Sequence, residues 1–243
     1  MSGPYSTIVV VKLSGSLFFS DQFASFVKST KKILRTRRGL KLVFVAGGGP
    51  EARRYIEAAR KLGADQATQD EIGIVVSRLN AKVFSIALGE HAFPSVPTTL
   101  SEVVSAVELC DSRAVTLGGL HPGQSTNAVA ALVAEKLRAS HFYNLTDVDG
   151  VYTEDPRKSR DAKKLDSVSV AELSQILGEE SMSAGGYDLM DPVALKLIQR
   201  SNVPTTIMKC SASLLESALI GSGARRKGAL GTRIITDSVA ESE

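Results

Sequence analysis

The sequence predicts an α/β fold: a three-layer αβα sandwich around a central, mostly parallel sheet. Two observations predict it. Short β-branched runs alternate with longer segments whose apolar residues recur at helical spacing, which is the order of strand–helix–strand units. The strand-like runs are also near-continuously apolar, as strands covered on both faces are, rather than alternating in and out.

In chain order, TIVVVKL (7–13) and KLVFVA (41–46) read as buried strands. The second runs into Gly47-Gly48-Gly49 and then PEARRYIEAARKLG, a helix with Pro50 in its first turn and Gly63 just past its end, where helix termini favour them. AKVFSIAL (81–88) and RAVTLGG (113–119) read as further strands, followed by a helix in QSTNAVAALVAEKLRAS. HFYNLTDV (141–148) is a strand, EDPRKSRDAKK (154–164) a polar loop, DPVALKLIQRSN a helix and VPTTIM (203–208) a last strand; the tail TDSVAESE is expected to fray. No linker or internal repeat interrupts this pattern, so residues 1–243 are expected to form one domain with a soft division near residue 140. In open parallel sheets, functional groups gather on the loops at the strands' carboxyl ends. That directs attention to the segments after Val11, Ala46, Leu117 and Leu145.

The composition excludes several classes. A formal charge of +3 on 243 residues is too weak to indicate nucleic acid. Cys110 and Cys210 form no CxxC pair and suggest reduced thiols, not a metal site. The apolar run from Ile8 to Val11 is too short for a signal peptide, and no continuous stretch reaches the ~20 apolar residues of a membrane span. A soluble, cytoplasmic protein is the expectation.

The glycine loop admits three readings. Gly47, Gly49 and Ala52 satisfy GxGxxG/A between a strand and a helix, but no following strand ends in the acid a dinucleotide site requires; Asp65 and Asp70 lie in ARKLGADQATQDEIG, which holds no strand. A P-loop is absent. A bare turn remains open, yet three successive glycines exceed what a turn needs, which favours phosphate on backbone N–H groups at a helix N-terminus. VVVKLSGSLF sets Lys12 at a strand end before Ser14, Gly15 and Ser16, a point charge followed by small donors suited to a phosphoryl group, although a surface lysine before a turn reads equally well. In TLGGLHPGQSTNAVAALVAE, Ser125 or Thr126 is a good helix N-cap, which explains the hydroxyls but not Gly118-Gly119. NLTDVDGVYTEDPR places Thr146, Asp147 and Asp149 beyond a strand, followed by Tyr152 and Asp155; acids repel phosphate, so they suggest sugar hydroxyls, magnesium or the orientation of a lysine, or simply an Asp-Gly turn. Four such loops on one sheet edge suit an enzyme that holds two phosphate-bearing ligands.

The set KLSGS (12–16), AGGGPEARRY (46–55), DEIGIVVSRLNA (70–81), GGLHPGQSTNAVAALVAE (118–135), TDVDGVYTEDPR (146–157) and DPVALKLIQRSNV (191–203) resembles the amino acid kinase superfamily, and within it the archaeal-type uridylate kinases, from about Ile8 to Ile235. The resemblance implies the amino acid kinase-like fold and transfer of the γ-phosphoryl of ATP to UMP, with Mg2+ carried by ATP. It implies ATP contacts at Lys12, Leu13, Ser14, Gly15, Ser16, Gly48, Arg53, Thr146, Tyr152 and Asp155. It implies UMP contacts at Gly47, Asp70, Leu120, His121, Pro122, Gly123, Gln124, Ser125 and Thr126. Lys12, Asp147 and Asp191 are the catalytic candidates, with no metal held by protein ligands alone. Asp147 stands where uridylate kinases often carry Asn or Lys, while other members use Asp there to orient lysines. The division near 140 would separate a UMP lobe from an ATP lobe, and a homohexamer is implied by the resemblance alone. Two other readings stay open: a superfamily kinase acting on acetylglutamate, carbamate, aspartate or isopentenyl phosphate, and a nucleotide- or anion-binding member without turnover.

The acceptor of such a transfer is already an ionised phosphate oxygen, so no strong base is needed, in keeping with only three histidines (His91, His121, His141). Bringing two anions together is the difficulty, and Lys12 is the first candidate to meet it. Lys196 is a second, equally readable as a solvated helix residue, as are the basic clusters Arg35-Thr36-Arg37-Arg38 and Arg225-Arg226-Lys227.

Overall fold

The structure is a computed structural model that describes residues 7–109, 111, 113–156, 159–181, 189–221 and 230–236. Cys110, Arg157, the Arg225–Lys227 cluster and nearly all of the tail lie outside the described residues. The strands are β1 (Thr7–Leu13), β2 (Leu40–Ala46), β3 (Ala114–Leu117), β4 (His141–Thr146), β5 (Ser167–Ser169), β6 (Thr205–Lys209) and β7 (Thr232–Ile235). The helices are α1 (Phe23–Thr36), α2 (Gly49–Lys61), α3 (Gln66–Leu88), α4 (Leu100–Leu109), α5 (Thr126–Lys136), α6 (Val170–Ser181), α7 (Pro192–Ser201) and α8 (Ala212–Ile220).

One sheet of order β3-β2-β1-β4-β6-β7-β5 joins all seven strands. Every pairing is parallel except β6 with β7. The expected architecture is therefore present, and the β strands explain why no alternation shows in the sequence. Both faces are covered: Val9, Val11, Leu13, Leu42 and Phe44 enter one core with α1, α3 and α8, while Val10, Val43 and Val45 enter the other with α4, α5, α6 and α7. Phe84 of α3 anchors the first core, edge-on to Phe44 at 5.0 Å and to Phe18 at 6.4 Å.

One expected strand is not a strand. Residues 81–88 form the last two turns of α3. This helix is closed by an Asp65 N-cap that accepts from the Thr68 N–H at 2.8 Å and by Gly89 at φ +64°. Its core face (Ala81, Phe84, Leu88) and its outer face (Val83, Ile86) are both apolar, so the segment loses the helical period and imitates a buried strand. For the same reason α3 is, among the described residues, the one helix long and apolar enough by composition to cross a membrane, although part of that stretch is core.

The order also sets the site. Chain progress runs outward through β2 and β3 on one side of β1 and through β4 and β6 on the other, so the sheet reverses direction between β1 and β4. The carboxyl ends of β3, β2, β1 and β4 share one edge at that reversal, where open α/β sheets bind ligands.

Candidate active site

All four glycine- and hydroxyl-bearing loops lie on this edge. Lys12 is opposite Val45 on β2 and Asn144 on β4. Beyond it the chain enters a 3-10 turn, Gly15–Phe19. The hydroxyls of Ser14 and Ser16 both donate to Asp147 Oδ1, at 2.9 and 2.6 Å, and lie 2.8 Å from each other. The loop after β1 is thereby tied to the loop after β4, and a carboxylate with two hydroxyls stands beside Lys12. Cys210, at the end of β6, backs this group: its N–H donates to Thr146 O at 2.7 Å. Burial pushes the Cys210 thiol up to about 12, against the pull of the Ser14 N–H and the Lys12 charge and with the help of Asp147. Burial therefore favours the neutral thiol over the nucleophilic thiolate.

Two loops meet backbone to backbone. A Cβ on Gly15 would fall 2.1 Å from Gly49 N, and one on Gly49, at φ +70°, would fall 2.6 Å from Gly15 C. The glycines thus serve close approach as well as any ligand. Gly118 and Gly119 have the same explanation, which the sequence did not supply: α3 crosses them so closely that added Cβ atoms would lie 2.5 Å from Arg78 N and 2.8 Å from Ile74 Cγ1.

Helix α3 holds the loops in place through residues that motif reading passed over. Asn80 Nδ2 donates to Gly47 O at 2.8 Å, and Ser77 Oγ accepts from Gly119 N at 2.8 Å. The Arg78 guanidinium donates to the carbonyls of Gly119, Leu120 and Thr98 at 2.9, 3.1 and 3.3 Å. The signal available in the sequence was their position within DEIGIVVSRLNA, about two to three turns beyond Asp70.

Between α2, α3 and the start of α5 lies a cleft of about 250 Å³, lined by Gly48, Gly49, Arg53, Asp70, Gln124 and Thr126 among others. Asp70 Oδ2 accepts from Gly123 N at 2.7 Å, tying the 120–126 loop to α3. Gly123 adopts φ +77°, the conformation its position in the loop demands. Leu120 is buried, whereas His121 and Pro122 are exposed on the loop's crest. Gln124 Oε1 is buried with no hydrogen-bond partner, an acceptor left for something else. Arg53 and Gly48, implied on the ATP side, share this cleft with Asp70, Gln124 and Thr126, implied on the UMP side. The N-termini of α2 and α5 both open on this edge, and aligned peptide dipoles there favour an anion.

Ser125 caps α5, accepting from Asn127 N and Ala128 N, and Asp191 caps α7, accepting from Val193 N and Ala194 N, all at 3.0 Å. Ser125 also donates to the other carboxylate oxygen of Asp191, so the two helix N-termini are stitched together. The bonds of Asp191 are those of a cap and a brace. Lys196 lies on the exposed side of α7.

The remaining candidates form a separate group beyond β4. Thr146 Oγ1 closes a local turn on Val148. The Tyr152 hydroxyl donates to Asp149 at 2.8 Å, and Lys164 reaches the same carboxylate at 3.2 Å. Hydrogen bonding to Asp149 raises the Tyr152 hydroxyl pKa; for Asp149 burial pulls upward, but the bonds from Tyr152 and Lys164 outweigh it and leave the carboxyl below its usual range. Asp155, in the stretch expected to be an exposed polar loop, is instead buried at 1% exposure.

The three-layer fold, the switch-point edge and the glycine loops packed around a cleft define a nucleotide-handling phosphotransferase architecture. The sequence profile of the Amino acid kinase family matches residues 7–209, and the chain belongs to that family. Within it, the chain is 42% identical over 205 residues to a uridylate kinase of Hyperthermus butylicus, covering 84% of this chain and 89% of that protein. It is 40% identical over 217 residues to a uridylate kinase of Methanocorpusculum labreanum, covering 88% and 92%. The crystal structure of uridylate kinase from Archaeoglobus fulgidus superimposes with a TM-score of 0.79 at 34% identity, over 93% of this chain and 99% of that one.

Proposed function

We propose that the chain is a uridylate kinase, a phosphotransferase that converts ATP and UMP to ADP and UDP and so supplies pyrimidine nucleotides. One observation carries this reading: the Gly15–Gly49 contact presses the Lys12–Ser14–Ser16–Asp147 group directly against the Arg53–Asp70–Gln124 cleft. A donor phosphate on the first and an acceptor phosphate in the second meet across bare backbone.

In this reading residues 1–243 act as one domain, with the UMP side before residue 140 and much of the ATP side after it. UMP lies in the cleft, its ribose near Asp70 and its base near the 120–126 loop, where the unpartnered Gln124 Oε1 suits a base N–H. Its phosphate meets Gly47 and the N-terminus of α2. ATP extends from Lys12, Leu13, Ser14, Gly15 and Ser16 towards Thr146, Tyr152 and Asp155, with Gly48 and Arg53 at the junction. Transfer is direct and in line, with no phosphoenzyme, since the acceptor oxygen is already ionised. Lys12 offsets the charge gathered as the two phosphates approach. A unit charge ~4 Å away contributes about 4 kcal/mol at an effective dielectric near 20, or roughly three powers of ten in rate as an upper bound. Asp147 holds Ser14 and Ser16, keeping the donor loop in register with β4. Asp191 acts through Ser125 by holding the starts of α5 and α7 together.

Magnesium fits as a companion of the nucleotide. Among the described residues no cluster of three His, Cys, Asp or Glu side chains would hold a metal unaided. Asp147 with the two serine hydroxyls offers the hard oxygen donors that a nucleotide-borne Mg2+ uses alongside phosphate. When bound, that ion neutralises phosphate charge. The reading includes a cytoplasmic location and assembly into a homo-oligomer, a hexamer by resemblance.

The test is ADP release from MgATP with UMP, CMP, dUMP, acetylglutamate, aspartate and isopentenyl phosphate in turn. Turnover strongest with UMP is expected. Turnover with a non-nucleotide alone would reassign the cleft, and ATP binding without turnover would point to a non-catalytic member.

A further inference from the structure

The loop KLSGS (12–16) has a counterpart elsewhere in the chain. Lys209-Cys210-Ser211-Ala212-Ser213 repeats its pattern of a lysine, one further residue, a serine, a small residue and a serine. Each lysine stands at the carboxyl end of a strand, Lys12 on β1 and Lys209 on β6. Each serine pair brings its hydroxyls together, 2.8 Å apart for Ser14 and Ser16 and 3.1 Å for Ser211 and Ser213. Ser211 precedes α8, but its side chain makes no capping bond, so the helix does not consume that hydroxyl.

The two loops flank one strand. β1 and β6 are the neighbours of β4 on either side. The Ser14 N–H donates to the Cys210 sulfur, which joins the loops at the end of β4. Lys12 pairs with Asn144 and Asn144 with Ile207, so Lys209 stands two residues nearer the edge than Lys12, level with Thr146. Paired residues of neighbouring strands, and residues two apart on one strand, share a face of the sheet. Lys12, Thr146 and Lys209 therefore project to the side that Val10, Phe142 and Ile207 bury against α5 and α7. At ~4.8 Å between strands and ~3.3 Å per residue, the two lysine Cα atoms are about 12 Å apart.

Charge separates this loop from an ordinary turn. Lys209 is exposed, and its ammonium has no acid to pair with among the described residues. Two carboxylates of the edge are engaged elsewhere: Asp147 accepts from Ser14 and Ser16, and Asp149 from Tyr152 and Lys164. A lysine followed by small hydroxyl donors is provision for phosphate, a point charge with hydrogen bonds beside it. A nucleotide triphosphate offers two phosphates besides the one transferred, and these need a holder of their own.

We propose that residues 209–213 form a second phosphate-holding loop, with Lys209 and the Ser211 and Ser213 hydroxyls on the non-transferred phosphates of the donor nucleotide while the 12–16 loop holds the transferred one. The inference rests on the reading above that ATP lies over the ends of β1 and β4, and adds β6 to it. Lys209 touches a group that does not react, so it contributes alike to the bound nucleotide and to the transition state. Its loss therefore shows in ATP affinity and not in kcat.

The test is calorimetric binding of ATP, ADP and adenosine to the full chain, with Mg2+ and without acceptor, in the wild type, Lys209→Ala and Lys209→Arg, followed by turnover with UMP. Lys209→Ala is expected to weaken ATP and ADP about tenfold, the scale of one charge-assisted hydrogen bond, and to leave adenosine unchanged. The KM for ATP should rise in step, while kcat and the KM for UMP stay close to wild type. Lys209→Arg keeps the charge and should recover most of the affinity. Equal ATP affinity in wild type and Lys209→Ala would make Lys209 a solvated strand-end residue and overturn the inference alone. An equal loss for adenosine would reveal a structural effect and overturn it as well, as would a raised KM for UMP with ATP unmoved. A wild-type chain that binds no ATP would overturn both the inference and the reading beneath it. ATP binding that depends on Lys209, without turnover on UMP, would uphold the inference and remove UMP as acceptor.

Discussion

Replacing Gly15 with alanine probes the contact on which the site is built. The added methyl would fall 2.1 Å from Gly49 N, 2.4 Å from Gly49 Cα and 2.7 Å from Gly48 C. All three are backbone atoms, so no side chain can swing aside; the two loops must part by more than 1 Å to reach ordinary contact (~3.4 Å). Overpacking of this kind costs about 1–3 kcal/mol. A displacement of about 1 Å between reacting groups costs on the order of a hundredfold in rate. Gly178 on α6 is the control: a Cβ there meets nothing within 4 Å, so the same substitution removes only the glycine penalty in a helix and should stabilise by about 0.5–1 kcal/mol. Thermal denaturation and steady-state turnover with MgATP and UMP measure both. Gly15→Ala should melt lower by several degrees, on the scale of about 2–4 °C per kcal/mol for a chain this size, and lose most of its kcat, while Gly178→Ala melts slightly higher with turnover unchanged. Wild-type melting and kcat in Gly15→Ala would refute the close approach and the argument that the donor and acceptor loops share one backbone junction.

Three further outcomes are expected. Lys12→Ala should depress kcat by up to ~10³ with little change in the KM for UMP, because one charge is withdrawn from the transition state more than from acceptor binding; unchanged kcat would remove Lys12 from the chemistry. Asp191→Ala should lose about 1 kcal/mol in a urea melt as the α7 cap goes, with kcat falling less than in Lys12→Ala; a loss of kcat as deep as that of Lys12→Ala at unchanged stability would show the carboxylate acting on substrate. His141 donates to or accepts from Thr206 Oγ1 at 2.9 Å and stacks on Tyr143, and burial lowers its pKa from 6.5 to about 4. Above pH 6.5 the ring is neutral in both states and has no effect. Between 6.5 and 4 only the unfolded chain takes up the proton, so stability falls as pH falls, by about 3 kcal/mol once pH is below 4. Urea melts of wild type and His141→Gln across that window should show the extra slope only in the wild type; equal slopes would place His141 in solvent.

Much of this molecule is legible locally. Apolar runs identified β1, β2, β3, β4 and β6 because strands buried on both faces need apolar residues at every position. Pro50, Gly63 and the Ser125 and Asp191 caps marked helix ends because terminal N–H and C=O groups need particular partners or conformations. The four loops could be assigned to one edge from strand–helix alternation alone, since parallel strands joined by helical crossovers must all end on the same side. Other features depended on what packs against what. Residues 81–88 have a strand's local composition, and only their place between the sheet and an exposed row on α3 makes them helix. β5 (SVS) and β7 (TRII) alternate buried with more exposed positions, so no continuous apolar run marks them. Gly118 and Gly119 look like ligand glycines until α3 is seen crossing them. Ser77, Arg78 and Asn80 carry no motif of their own, because what they bind is the backbone of loops distant in sequence. Periodicity and end-chemistry act over a few residues and can be read along the chain; close approach between distant backbones leaves no local trace except a missing Cβ, and only the tertiary structure shows what required it.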